Sequence, residues 1–203
     1  MDSAKITLSA KEAELVTNSD WILTKNHILQ KVRWVLEDVQ SRQLQFFQNH
    51  PQALPAEVIT VVPKISRGEN YKGLPYLVLD HPRYFGKDDH FAIRTMFWWG
   101  KFFSITLHVS GNYKLKYHER IIQLYSALKQ RNYFIGIGDD QWEHHFDSGN
   151  YDSIADMHED RFANILAEKE FIKLAKKFSL DQWDDMRDHL FASFCELISW
   201  LNN

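Results

Sequence analysis

Ile22, Leu29, Val32, Leu36, Val39 and Phe46 recur near a seven-residue spacing, and Trp21, Ile28 and Val35 widen the stripe they form. This pattern predicts a helix over residues 20–49. At 1.5 Å per residue it is about 43 Å long, enough to cross a domain of this size. His50-Pro51 and Leu54-Pro55 end it, because proline disfavours helical geometry in the residue before it. Ser9-Ala10-Lys11-Glu12 has capping-box spacing and predicts a short helix in front.

The middle of the chain changes period. Residues 58–62, 75–80, 91–98 and 102–109 are β-branched and aromatic runs separated by Gly, Pro and Asp, and they predict strands. Helix returns over residues 117–130, followed by a strand at 133–137; residues 142–146 are a candidate for another. Two helices are expected to finish the chain. Ser153-Ile-Ala-Asp156 and Ser179-Leu180-Asp181-Gln182 have capping-box spacing. Behind the second, Trp183, Met186, Leu190, Phe194, Leu197 and Leu201 form a core-facing stripe. The fold class expected is α+β: one domain over residues 1–203, with a mostly antiparallel sheet of four to six strands. N-terminal helices occupy residues 1–55, the sheet region with one intervening helix 56–150, and C-terminal helices 151–203.

The run 91–109 also fixes a register. Alternate strand residues face opposite sides, so loop length decides which residues meet. A three-residue loop, Trp99-Gly100-Lys101, places Phe91, Ile93, Thr95 and Phe97 beside Phe103, Ile105, Leu107 and Val109. A two-residue loop mixes that apolar set with polar residues, so hydrophobic sorting selects the longer one, with Gly100 free to take a left-handed conformation. Arg94, Ser104, Thr106 and His108 then share the second face. If residues 75–80 join with Leu77 and Leu79 inward, Tyr76 and Asp80 reach that face too.

Composition bounds the chemistry. Cys195 is the only cysteine among 203 residues, which excludes an intrachain disulfide and a Cys-rich zinc site. Residues 1–15 lack the apolar core of a signal peptide, and no segment has 18 consecutive apolar residues. A cytoplasmic location and no membrane partner are the expectation. Charge is blocked along the chain: −1 over residues 1–63, +7 over 64–131 and −9 over 132–203. Such segregation builds complementary faces within one domain or displays a one-signed surface. Folding of the acidic third against the basic middle is the economical reading, and it argues against nucleic acid as a partner.

Three stretches carry candidate chemistry. The face bearing Arg94, His108, Thr106, Ser104, Tyr76 and Asp80 offers a fixed cation, an imidazole, hydroxyls and a carboxylate, a set suited to orienting a polar or anionic small molecule. A solvated face is the ordinary alternative, since antiparallel sheets often have one. Residues 64–73 add Lys64 and Arg67 in a glycine-containing loop without a P-loop ending. Residues 139–160 hold eight carboxylates and three histidines with no Lys or Arg. If the chain is extended there, Glu143, His145 and Asp147 share one face and form an incomplete ligand set for a divalent metal, with Asp139, Asp140 or His158 as further ligands. Asp152 and Asp156 are equally explained as helix-starting acids. Cys195 reads as a core thiol, and Gly136-Ile-Gly138 as a turn.

No motif assigns a reaction. The leading expectation is a domain binding a polar or anionic small molecule on the Arg94/His108 face, with no cofactor. The alternatives are a metal-dependent hydrolase using the acidic histidine segment, and a protein–protein interaction module. Oligomeric state is left open.

Overall fold

A computed structural model describes residues 6–202 of the chain; the first five residues of the stretch read above for a targeting signal lie outside them. The capping box is present: the Ser9 backbone N–H donates to Glu12 Oε2 at 2.7 Å, and the Glu12 N–H to Ser9 Oγ at 3.3 Å. It opens α1 (Ala10–Thr17), and Asn18 then caps α2 (Ser19–Asn49). Leu29, Val32, Leu36 and Val39 are buried along α2 as the spacing predicts, and Phe47 is buried where Phe46 was expected to be. Each fully buried side chain of this kind contributes roughly 1.5–3 kcal/mol. Trp21 and Ile22, in the first turn of α2, are exposed.

After Pro55 the expected strand at 58–62 is replaced by a helical turn, α3 (Ala56–Ile59). A β-branched run lowers helix propensity by only tenths of a kcal/mol per residue, and burial of Val58 outweighs that. Residues 64–73 are likewise not a loop. β1 (Lys64–Tyr71) pairs with β2 (Leu74–Phe85) through a turn at Lys72 and Gly73, both at positive φ. An edge strand tolerates charges, which disguised it.

β3 (His90–Trp98) and β4 (Phe102–Ser110) adopt the expected register: Phe91 faces Val109, Ile93 faces Leu107, Thr95 faces Ile105 and Phe97 faces Phe103. Gly100 in their loop has φ 66°. The helical stretch that follows starts earlier than expected and is broken into α4 (Gly111–Gln123) and α5 (Tyr125–Gln130). Next come β5 (Phe134–Gly136), β6 (Tyr151–Ser153), α6 (Glu159–Glu168), β7 (Phe171–Phe178) and α7 (Met186–Asn202).

The sheet is antiparallel and has seven strands, in the order β1-β2-β3-β4-β7-β5-β6, more than the four to six expected. The strand between β4 and β5, β7, falls in the region expected to hold only helices. Ile172 and Leu174 point to the apolar core, while Lys173 points to the other face and is buried there. Lysines at 173, 176 and 177 hid a central strand behind a polar composition. Two of the capping signals also misplace helix starts. Ser153 and Ser179 precede single 3-10 segments and make no side-chain cap bond; α6 starts after His158, and α7 at Met186.

One face of the sheet packs Leu79, Ile93, Ile105, Leu107 and Leu174 against α2 and α7, through Leu36, Val39, Phe194 and Leu197. Residues 142–146 are not a strand. Residues 137–150 run irregularly across the opposite face, so that face is covered rather than solvated. Among the described residues no helix is long and apolar enough to cross a membrane.

Candidate functional site

The hairpin register sets Arg94 opposite Thr106 and Ala92 opposite His108, and β2 sets Asp80 opposite Arg94. Arg94 therefore binds Asp80 with two bonds, Nε to Oδ1 at 2.7 Å and Nη2 to Oδ2 at 3.0 Å. β7 adds a residue that the sequence did not single out: Lys173, directly opposite His108 and 2% exposed. Gly136 on the neighbouring strand makes room for it, since a Cβ there would lie 3.1 Å from the Lys173 Cβ.

The irregular segment forms a strap over these groups, and its acceptors satisfy them. Gln141 Oε1 lies 3.0 Å from His108 Nε2, and His144 Nε2 accepts from Arg94 Nη1 at 2.9 Å. Lys173 Nζ donates to the Glu143 backbone carbonyl. The strap is held from β1 by Tyr71. Its hydroxyl donates to Glu143 Oε2 at 2.7 Å and accepts the His144 and His145 backbone N–H groups at 2.7 and 3.0 Å. Phe146 anchors the far end, stacked on Tyr151 with ring centroids 4.6 Å apart and edge-on to Phe102 and Phe134.

Burial sets the protonation states. Desolvation, reinforced by Lys173 and Arg94, pushes His108 down to about 3. The same causes, with Arg94 the nearest cation, hold His144 well below the ordinary histidine range. Both rings are neutral at pH 7, which suits His144 as an acceptor for Arg94. Lys173 is lowered to about 8, by burial first and by Arg94 second, with Asp140 and Glu143 partly opposing. Tyr71 is raised, chiefly by burial. Asp80 is the carboxylate buried with these cations among the described residues; Glu143 is only half-buried and turns its side chain to Tyr71.

The structure sorts the expected site residues. Arg94, His108, Thr106 and Asp80 come together in the layer. Ser104 is buried on the same face, two residues along β4 from Thr106. Tyr76 belongs to an aromatic cluster with Tyr71 and Trp98 at the end of the sheet. Lys64 and Arg67 stand on the exposed edge strand, where Arg67 pairs with Glu69. Glu143, His145 and Asp147 do meet, but not around a common point. Glu143 Oε2 is 3.2 Å from His145 Nε2, and Asp147 Oδ2 is 3.2 Å from His145 Nδ1, so the carboxylates take opposite sides of one ring. Among the described residues no three His, Cys, Asp or Glu side chains are placed to hold a metal ion. Asp139 is paired with Lys169, Asp140 accepts the Trp142 backbone N–H, and His158 is exposed at the start of α6.

A groove of about 280 Å³ opens at one end of the strap, lined by Lys87, Asp88, His90, Ser110, Gln141, Glu170 and Phe171. Gln141 separates it from His108. Trp142, the next residue, is exposed yet lies against His90 and His108, with ring centroids 5.6 and 5.5 Å away.

Lys173, Gln141, His144 and Tyr71 are the groups that residue patterns missed. Only the alternation Ile172-Lys173-Leu174 carried a signal, and it was a weak one. No family model matches the chain, and no curated protein or solved structure matches it.

Proposed function

We propose that the chain is a binding domain for a small anion, carboxylate or phosphate, taken at the Gln141 end of the strap. The observation that carries this reading is the way three donors from adjacent strands are satisfied. Arg94 on β3, His108 on β4 and Lys173 on β7 each reach an acceptor from the same irregular segment. Buried ionisable groups with displaced protonation cluster at functional sites, and three such groups meet here. An ammonium on a central strand is also an expensive way to fill a sheet face, because a buried charge needs full compensation. Lys173 has three N–H donors and, among the described residues, donates to the Glu143 carbonyl, with the Tyr151 ring 5.0 Å away. An anion entering the groove replaces the Gln141 carboxamide at His108 and the carbonyl at Lys173 with a charged acceptor, and charge-assisted bonds are the stronger. The lone cysteine suits a cytoplasmic setting, which belongs to the same proposal.

Calorimetric titration with inorganic phosphate and with acetate tests this. Both bind the wild type, and Lys173→Met, which keeps the stem and removes the charge, abolishes binding while leaving a cooperative unfolding transition. Affinity falls as pH rises through about 8, where Lys173 loses its proton. No heat from either anion, with folded protein, contradicts the proposal. Arg94→Ala is a poor probe, because it strands the Asp80 carboxylate, and breaking a buried pair costs about 3–5 kcal/mol.

A further inference from the structure

Two rings, His90 and Phe171, line the groove, and further rings pack beside them. His90 and His108 stand face to face with centroids 6.0 Å apart, Phe171 lies 5.9 Å from His108, and Phe85 lies 5.8 Å from His90. Trp142 packs against His90, His108 and Phe85 from the strap side and is 44% exposed. A bare inorganic anion uses the donors and none of these faces. Aromatic rings surrounding a polar floor match a ligand that is itself planar, because offset and edge-to-face packing adds about 0.5–1.5 kcal/mol per ring pair beyond simple burial. The charges lining the groove do not favour an anion, since Lys87 stands there against two carboxylates, Asp88 and Glu170. Selection for the anion therefore lies at the floor, behind Gln141, and selection for shape lies at the ring-lined mouth.

We infer that the preferred ligand is an aromatic carboxylate, its ring held among Trp142, His90 and Phe171 and its carboxylate directed at His108 and Lys173. This rests on the anion-binding reading and narrows it to one class of ligand. The groove suits a single ring: its volume, about 280 Å³, is at the small end of ligand pockets.

The test compares benzoate, acetate and inorganic phosphate by titration, following Trp142 by fluorescence difference against Trp142→Leu. The inference predicts that benzoate binds at least tenfold more tightly than acetate and changes the Trp142 emission. It also predicts that Trp142→Leu brings benzoate down to the level of acetate without changing acetate itself. If acetate and phosphate bind and benzoate binds no better, the aromatic preference is overturned and the anion site stands. If none of the three binds folded protein, both fall. Because Trp142 is exposed and on an irregular segment, the variant is expected to fold; its unfolding midpoint is checked alongside.

Discussion

A histidine without a hydrogen-bond partner in an apolar core is neutral because charging it there has no compensation. His81 on β2 is fully buried on the helix side of the sheet, neither ring nitrogen has a partner, and Phe47 stands edge-on to it at 5.7 Å. Burial, helped by Arg83, pushes it down to about 4. His108 is lowered on the opposite face, to about 3. The sign follows from proton counting. An unfolded histidine titrates near 6.5, so below that value the unfolded chain binds protons that the folded chain refuses. The stability these residues leave intact above about pH 6.5 is lost as pH falls toward the folded values. Linkage gives roughly 2 kcal/mol for each between about pH 7.5 and about pH 5. Urea unfolding at the two pH values is expected to show this loss, and His81→Leu to remove its share of the slope. An equal slope in His81→Leu would place the proton uptake elsewhere.

At the scale of elements, the strap is the unusual part: residues 137–150 have no regular hydrogen-bonded ladder and yet cover a sheet face. One hydroxyl, that of Tyr71, holds the Glu143 side chain and two backbone amides. Tyr71→Phe leaves those amides without their acceptor, and an orphaned buried group costs about 1–3 kcal/mol. Hydrogen exchange at His144 and His145 is expected to accelerate markedly in that variant while β3 and β4 keep their protection. Uniform acceleration across the sheet would mean that Tyr71 supports the fold as a whole. The same scale shows what was readable. The β3–β4 hairpin was legible to the residue, because apolar and polar positions alternate along β4 from Phe103 to Ser110 and one loop length best matches them to the apolar positions of β3. The α2 stripe was legible for the same reason, at helical period. β1 and β7 were not, since an edge strand and a lysine-bearing central strand both break the alternation that identifies a half-buried sheet. The strap was legible only as composition. Its acids and histidines stand out, but their spacing suggested a metal, whereas the partners that explain them, Tyr71, Arg94 and Lys173, are distant in sequence.

For the whole molecule, the charge blocks find a local explanation. Glu143 of the acidic run lies 3.8 Å from Lys72 of the basic middle third, while the same run meets Arg94 and Lys173 through neutral acceptors, the His144 ring and the Glu143 carbonyl. In the proposed reading, an incoming anion competes with those neutral acceptors. The proposed site would stand on three adjacent strands and be covered by an irregular segment, the usual division between scaffold and binding loop. Hydrogen exchange of the strap amides, measured with and without saturating inorganic phosphate, tests this account most directly. It predicts faster exchange at Glu143, His144 and His145 on phosphate addition, with β4 and β7 unchanged or slower, and no response in Lys173→Met. Identical exchange of the wild type in both conditions would contradict it, leaving the buried cations as struts that hold the strap in place.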